Sequence, residues 1–298
     1  MVMKYTLKTR EKGEIQIVEA NAALGLDALT RKDVLELVKA HGAVLFRGFD
    51  TNLDAFSALV SRASDKVTLD PARKHFSDNA QLVDAGTDPV GLHLENGNAP
   101  NLPDLAWFYC KKAAKRGSQT TYCDGYSVLD DLDPAYNQDF TERQIKYARH
   151  LPEALWKKYT LNEVDGLERI EQVTFEHLQQ LAAHNPGQTF TLLEEGVVYS
   201  ELVVPAIRQS KFSQVKGFAN SLLGPSYNYE PPKITFGDDQ KIDEAVWQHI
   251  NEVTEAHTKN IDWQDHDVVV LDNTRVMHGR REIIDTDREL FNALSYVA

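Results

Sequence analysis

Cysteine is scarce in this chain: Cys110 and Cys123 are the only two among 298 residues. Two thiols cannot form the disulfide framework of a secreted scaffold, and both are read as buried thiols of a reducing compartment. No apolar run approaches the roughly 20 residues that cross a bilayer. The opening MVMKYTLKTREKGEIQIVEA mixes charge with short apolar alternation and lacks the apolar stretch and small-residue cleavage site of a secretory signal. A soluble, cytoplasmic protein without a membrane partner is expected. Positive charge is also in deficit, with 32 Lys and Arg against 45 Asp and Glu and a net charge of −13. Polyanion binding needs clustered Lys and Arg, so nucleic acid is excluded as a partner. Internal repeats, low-complexity tracts and Gly/Ser linkers are missing as well. We therefore expect a single domain over residues 1–298, long enough to bury a core without covalent staples.

The apolar pattern alternates between two periods. Tyr5 and Leu7, then Ile15 and Ile17, have strand spacing and predict a hairpin around Lys12-Gly13. Thr30 through Val38 predicts a helix, Ala43-Val44-Leu45-Phe46 a buried strand ended by Arg47-Gly48-Phe49, and Asp54 through Val60 another helix. The compact apolar runs Leu105–Tyr109 and Val268–Leu271 read as central strands. From Phe140 to Thr189 the period is helical, with Leu155, Trp156 and Tyr159 on one face and Phe175, Leu178, Leu181 and Ala182 on another. A mainly helical insertion at about 140–190 is expected there. Ile242 through Thr258 predicts a last helix, with Ala245, Val246, His249, Ile250 and Val253 on one stripe.

Two separated segments carry chemistry. In Gly91-Leu92-His93-Leu94-Glu95 the alternation of an extended chain points His93 and Glu95 to one side and Leu94 to the other. Asp272-Asn273-Thr274-Arg275-Val276-Met277-His278 follows a strand and supplies a second imidazole. Two neutral nitrogens and one carboxylate can occupy one face of an octahedral ion and leave the other face open, the requirement of a non-haem Fe(II) oxygenase site. His93, Glu95 and His278 are thus the candidate metal ligands. Both histidines must be neutral to ligate, and each needs an acceptor that fixes its tautomer. The remaining histidines lack partners at ligand spacing and are read as core-margin or surface residues. An iron site of this kind also needs an electron source, which 2-oxoglutarate supplies by chelation while its distal carboxylate is held by a guanidinium and a hydroxyl. Arg288, ten residues after His278, and Thr120, in Gly117-Ser118-Gln119-Thr120, offer those groups.

The succession VLFRGF, GLHLEN, PDLAWFYC followed by GSQT, DNTRVMHGRR and DRELFN resembles the taurine dioxygenase-like family of Fe(II)/2-oxoglutarate oxygenases, from about Gly42 to the C-terminus. The resemblance implies a mainly β fold with flanking helices, built on a double-stranded β-helix (jelly roll, cupin-like) that holds metal and cosubstrate in its mouth. Carried over residue by residue, it implies that His93, Glu95 and His278 bind iron, that Thr120 contacts the cosubstrate and that Arg288 pairs with its C5 carboxylate. Asn292 stands where many members have a second Arg. The H-x-E triad, where most members have H-x-D, is similar to the clavaminate synthase-like branch, whose members oxidise free or carrier-bound amino acids and related metabolites. Glu95 keeps the carboxylate that radical halogenases of this superfamily lack. The implied reaction with O2 is hydroxylation of an unactivated C–H; desaturation, epoxidation or ring closure in a specialised-metabolite pathway would use the same site.

Asn96, Asn98, Asn220, Arg275 and Arg280 are the polar residues expected near a substrate. An arginine there would suit a small amino-acid-like acid, whereas Arg275 and Arg280 could equally serve the fold by pairing with Asp272 and Glu282. The acidic balance disfavours a carrier-protein-bound substrate, because carrier domains are themselves acidic; homo-oligomerisation is left open. Two other classes remain at this point. A zinc-dependent cupin-like hydrolase or isomerase would use the same triad without Arg288 and Thr120. A ligand-sensing jelly roll would need neither.

Overall fold

The structure, a computed structural model, describes residues 5–8, 11, 13–21, 24–68, 75–77, 80–83, 86–227 and 230–298. Its frame is a nine-stranded sheet in the order Tyr5–Leu7, Gln16–Ala20, Ala43–Arg47, Val268–Asp272, Leu105–Lys112, Glu289–Tyr296, Ala80–Leu82 and His75–Ser77, with Lys66–Thr68 also on Glu289–Tyr296. All pairings are antiparallel except that of Gln16–Ala20 with Ala43–Arg47. Alternation along the central strands sorts their side chains. Leu105, Trp107, Tyr109, Val268, Val270, Phe291 and Ala293 face outward onto the helices Arg31–His41 and Leu53–Ala63. Ala106, Phe108, Cys110, Val269, Leu271, Leu290 and Leu294 face inward, where they meet Tyr122, Val276 and Ile261.

Tyr122 and Val276 belong to a second sheet, ordered Lys259–Asn260, Thr120–Asp124, Val276–Arg280 and Val90–His93. The two sheets form the jelly-roll core. On the outer side of the second sheet lies another apolar cluster, including Leu92, Cys123 and Met277, covered by helix Glu244–His257 through Val246 and Ile250. Of the stripe expected on that helix, Ala245 is exposed, and Thr254 takes the buried place one turn beyond Ile250.

Local signals set the element ends. Thr30 and Asp33 form a reciprocal capping box at the start of the first helix, and Gly42, with φ 72°, ends it. A side-chain carbon on Gly42 would come within 2.8 Å of the Arg275 guanidinium. The N-terminal hairpin pairs Leu7 with Val18; Lys12 at its turn lies outside the described residues. The span 140–190 differs from expectation. Its helices Glu153–Glu163 and Phe175–Ala183 are present, but strands Ile145–Leu151 and Gln188–Leu192 bracket them. With Val198–Val204 and Lys233–Phe236 these strands make a separate four-stranded sheet. The helical period was legible because each helix buries one stripe, including Trp156 and Leu178. The strands were not, because Lys146, Arg149 and His150 interrupt their apolar pattern and their partners lie far along the chain.

The strand that carries His93 is backed closely by the chain at Leu223-Gly224. A side-chain carbon on Gly91 would fall well inside contact distance of the Leu223 carbonyl. We expect Gly91→Ala to cost about 1–3 kcal/mol of stability, read as a lowered urea midpoint; an unchanged midpoint would show that the strand can move away. Burial pushes the thiols of Cys110 and Cys123 up to about 12. Both should stay unmodified by a thiol reagent at pH 8 in the native protein and react after unfolding; fast labelling of the native protein would contradict that burial.

Candidate active site

His93 sits directly opposite His278 in the antiparallel pair formed by Val90–His93 and Val276–Arg280. The two rings lie 4.5 Å apart, centroid to centroid. Glu95, just past the strand, brings Oε1 to 3.4 Å from His278 Nε2 and 4.0 Å from His93 Nε2. All three can offer a donor atom within 4.8 Å of one another, and they are the one such His/Cys/Asp/Glu cluster among the described residues. His93 Nδ1 is 2.9 Å from the Gly91 carbonyl. A proton placed there is donated to that oxygen and leaves the Nε2 lone pair directed at the cluster. His278 is buried, its ring against the edge of Phe108 at 5.1 Å, and its Nδ1 has no hydrogen-bond partner. Two neutral imidazoles and one carboxylate suit a ferrous ion by donor type, with a single negative charge against its two positive ones.

The backbone of Glu95 is fixed by a side chain that the sequence reading passed over. Fully buried Asn273 accepts from Glu95 N–H at 2.9 Å through Oδ1. Its Nδ2 donates to the carbonyls of Glu95 at 3.0 Å and Pro103 at 2.9 Å. The amide thus continues a strand-like pairing where the strand has stopped. Neighbouring Asp272 is held by Ser210 and Thr274 hydroxyls at 2.6 and 2.5 Å. The available signal was the Asp-Asn-Thr turn, whose residue types bond to backbone readily.

The expected cosubstrate residues converge on the same interior. Thr120 lies opposite Arg280 in register, two residues along the strand from His278 and on its face. Its hydroxyl accepts from Trp263 Nε1 at 3.0 Å, which leaves its own hydrogen to donate. Arg288 donates from Nη1 to the Ser118 carbonyl at 3.0 Å, while its Nη2 is buried without a partner. Burial, then the nearby Arg280 charge, hold the Arg288 pKa below its ordinary value. A partly buried cation beside a second cation favours an anion between them. Asn292, paired across to Phe108 on the inner face, is also buried with Oδ1 unpartnered. The donor set fits Fe(II), and the unpartnered Arg288 Nη2 fits the carboxylate of a keto acid.

The residues expected near substrate separate into two groups. Asn98 exchanges hydrogen bonds with the Ser226 backbone at 2.7 and 3.3 Å, and the Asn220 amide is taken up by the Ala206 carbonyl and Leu222 N–H. Arg275 makes a buried two-pronged bond to Asp124 at 2.9 and 2.6 Å and lies 3.8 Å over the Tyr126 ring. Its partner is therefore Asp124, not Asp272. Arg280 donates to the Asp88 carbonyl at 2.7 Å, not to Glu282, and faces the Thr120 end. Asn96, at φ 56°, lines a cavity whose walls do not include the three clustered residues.

Comparison with known proteins gives the same picture. The family described as taurine catabolism dioxygenase TauD, TfdA family matches residues 11–294. The dapdiamide synthesis protein DdaC of Enterobacter agglomerans is 25% identical over 265 residues, 83% of this chain and 80% of that protein. A clavaminate synthase-like protein of Arabidopsis thaliana, At3g21360, is 25% identical over 270 residues, 85% and 81% of the two chains. In fold the chain is similar to PvcB of Pseudomonas aeruginosa, described as an Fe, alpha-ketoglutarate dependent oxygenase from an isonitrile synthetic pathway. That likeness has a TM-score of 0.63 at 12% identity and covers 100% of this chain and 93% of PvcB.

Two substitutions separate the roles assigned here. Asn273→Ala should weaken Fe(II) binding roughly 10–100-fold by calorimetric titration, and unchanged affinity would reduce Asn273 to a turn residue. Arg275→Ala strands the buried Asp124 carboxylate and should cost about 3–5 kcal/mol in urea unfolding. A loss under 1 kcal/mol, on the scale of an exposed pair, would return Arg275 to the substrate candidates.

Proposed function

Because the chain belongs to the taurine catabolism dioxygenase TauD, TfdA family and is thus an oxidoreductase, we propose that it hydroxylates an unactivated C–H of a small amino-acid-like or carboxylate-bearing metabolite, with Fe(II) held by His93, Glu95 and His278. The observation that carries this reading is the pairing of the two-histidine, one-carboxylate cluster with an unpartnered Arg288 Nη2 in one buried interior. A zinc hydrolase would have no use for that guanidinium.

Bound there, ferrous iron with O2 and 2-oxoglutarate supplies the oxidising chemistry, the keto acid leaving as succinate and carbon dioxide. The chain contributes placement and exclusion of water. Arg288 can form two parallel charge-assisted bonds to the distal carboxylate, and Thr120 can donate a third. The Gly91 carbonyl keeps the His93 proton on Nδ1, so the imidazole ligates as a neutral base. Phe108 packs against His278 and, with Leu290 and Leu294, presents an apolar wall on the inner face. Such a wall limits competing reactions with water. Desaturation, epoxidation or ring closure would follow from a different placement of the substrate carbon in the same site. Likeness to a dapdiamide synthesis protein supports a role in specialised-metabolite biosynthesis.

Anaerobic addition of Fe(II) and then 2-oxoglutarate to metal-free protein should produce a weak visible charge-transfer band that needs both additions. His93→Ala should abolish it, and Arg288→Ala should raise the 2-oxoglutarate concentration needed for half-saturation at least tenfold. Iron bound without a band on adding 2-oxoglutarate would refute the reading.

A further inference from the structure

A cavity of about 710 Å³ is bounded by three parts of the fold and includes Asn96, the residue after Glu95, in its lining. One wall is the loop Asn96, Asn98–Asn101 that follows Glu95. A second is the inner end of the main sheet at Lys66, Thr68, Leu294 and Tyr296. The third is the inserted unit. Its strands contribute alternate residues, Tyr147, Arg149 and Leu151 from one, Gln188 and Phe190 from another, Ser200 and Leu202 from a third. Helix Glu153–Glu163 adds Trp156, Tyr159 and Glu163 from the same side. Every second residue of three strands turned to one space marks a built surface.

The size of this chamber is informative. It falls in the range of roughly 300–1000 Å³ that encloses drug-sized ligands, far more room than one free amino acid fills. The charge distribution is equally so. In a chain of net charge −13 the chamber collects Lys66, Arg149 and Lys158 against the single carboxylate of Glu163. Lys66 and Lys158 have no ion-pair partner among the described residues. Lys66 lies 5.8 Å from the Tyr296 ring. Burial first, then the charge of Glu163, push the hydroxyls of Tyr159 and Tyr296 up to about 12. Arg149 bonds the carbonyls of Asn98 and Ser226 at 2.9 and 3.2 Å, so it also closes the wall beside the metal ligand. The rest of the lining mixes aromatic and aliphatic side chains such as Trp156, Phe190 and Leu294 with amides and hydroxyls such as Asn162, Gln188 and Ser200.

We propose that this chamber receives an amino-acid conjugate, at least dipeptide-sized, that carries an anionic group bound by Lys66 and Lys158. The proposal rests on the oxygenase reading of the triad for what becomes of that molecule, but binding in the chamber does not require metal. A single anionic group accounts for the excess of cations, and an aromatic or aliphatic part for Trp156, Tyr159, Phe190 and Leu294 in the lining.

The test uses metal-free full-length protein and the aromatic anion 8-anilinonaphthalene-1-sulfonate, with neutral N-phenyl-1-naphthylamine as its uncharged counterpart. One equivalent of the sulfonate should bind, and Lys66→Glu combined with Lys158→Glu should weaken it at least tenfold while leaving the neutral probe within twofold. Both lysines are exposed, so the variant keeps the fold. N-succinyl-phenylalanine amide should displace the sulfonate at concentrations where free phenylalanine does not. Absence of binding, equal loss of both probes in the variant, or equal displacement by the free amino acid would each overturn the proposal. The charge-transfer band of the unmodified protein is scored separately. Its absence alongside normal probe binding would refute the iron reading and leave the chamber standing; a normal band without probe binding would do the reverse.

Discussion

The site depends on one register: His93 opposite His278 in a pair of antiparallel strands. Side chains directly across such a pair are close enough for both imidazoles to reach one point, and a slip of one residue would turn each to the opposite face. Several contacts around the pair oppose that slip. The Gly91 backbone lies against Leu223-Gly224, and Leu94 bonds both Asn220 and Ser221. Asn273 then fixes the backbone of Glu95, which lies beyond the paired strand. The carboxylate is therefore as well placed as the two imidazoles that sit on strands.

The same sheets produce the electrostatic contrast inside the core. The inner face is apolar around Phe108, Leu290 and Leu294, and turns cationic toward Arg280 and Arg288. Buried cations of like sign are costly unless a counter-charge joins them. Arg288 donates to the Ser118 carbonyl and Arg280 to that of Asp88. By contrast Arg275, just before the strand that carries Arg280, is neutralised by Asp124 and serves as a fastener. Three arginines close in sequence thus have two different environments.

The sequence made some of this legible. A two-residue spacing on an extended chain has one geometric meaning, so His93 and Glu95 could be read together, and the strand before His278 was visible in Val268–Leu271. The order of motifs carried the family and the jelly roll. The fate of Asn98, Asn220 and Arg275 was not visible, because a polar residue near a ligand looks the same in sequence whether its atoms are free or already bonded. Here the partners lie up to 151 residues away. For the inserted sheet the difficulty was similar: its strands interleave polar residues with apolar ones and pair at long range, so only its helices carried a local signal. Asn273 was missed for a further reason, since a clamp on backbone leaves no pattern in side-chain types.

The alternate residues of the inserted sheet have a bearing on how such a protein changes over time. Tyr147, Arg149, Leu151, Phe190, Ser200 and Leu202 shape the chamber from strands that contribute nothing to the cluster of His93, Glu95 and His278. Exchanges at most of these positions would alter which molecules fit while leaving the register of His93 and His278 alone. Tyr147 and Arg149 are the exceptions: the Tyr147 hydroxyl accepts from the N–H of Ser221, which lies against Leu94, and Arg149 donates to the Asn98 carbonyl, so both tie the insert to the segment around Glu95. Drift along this wall is therefore free except at those two ties, where a change of lining would also disturb the backbone that carries Glu95.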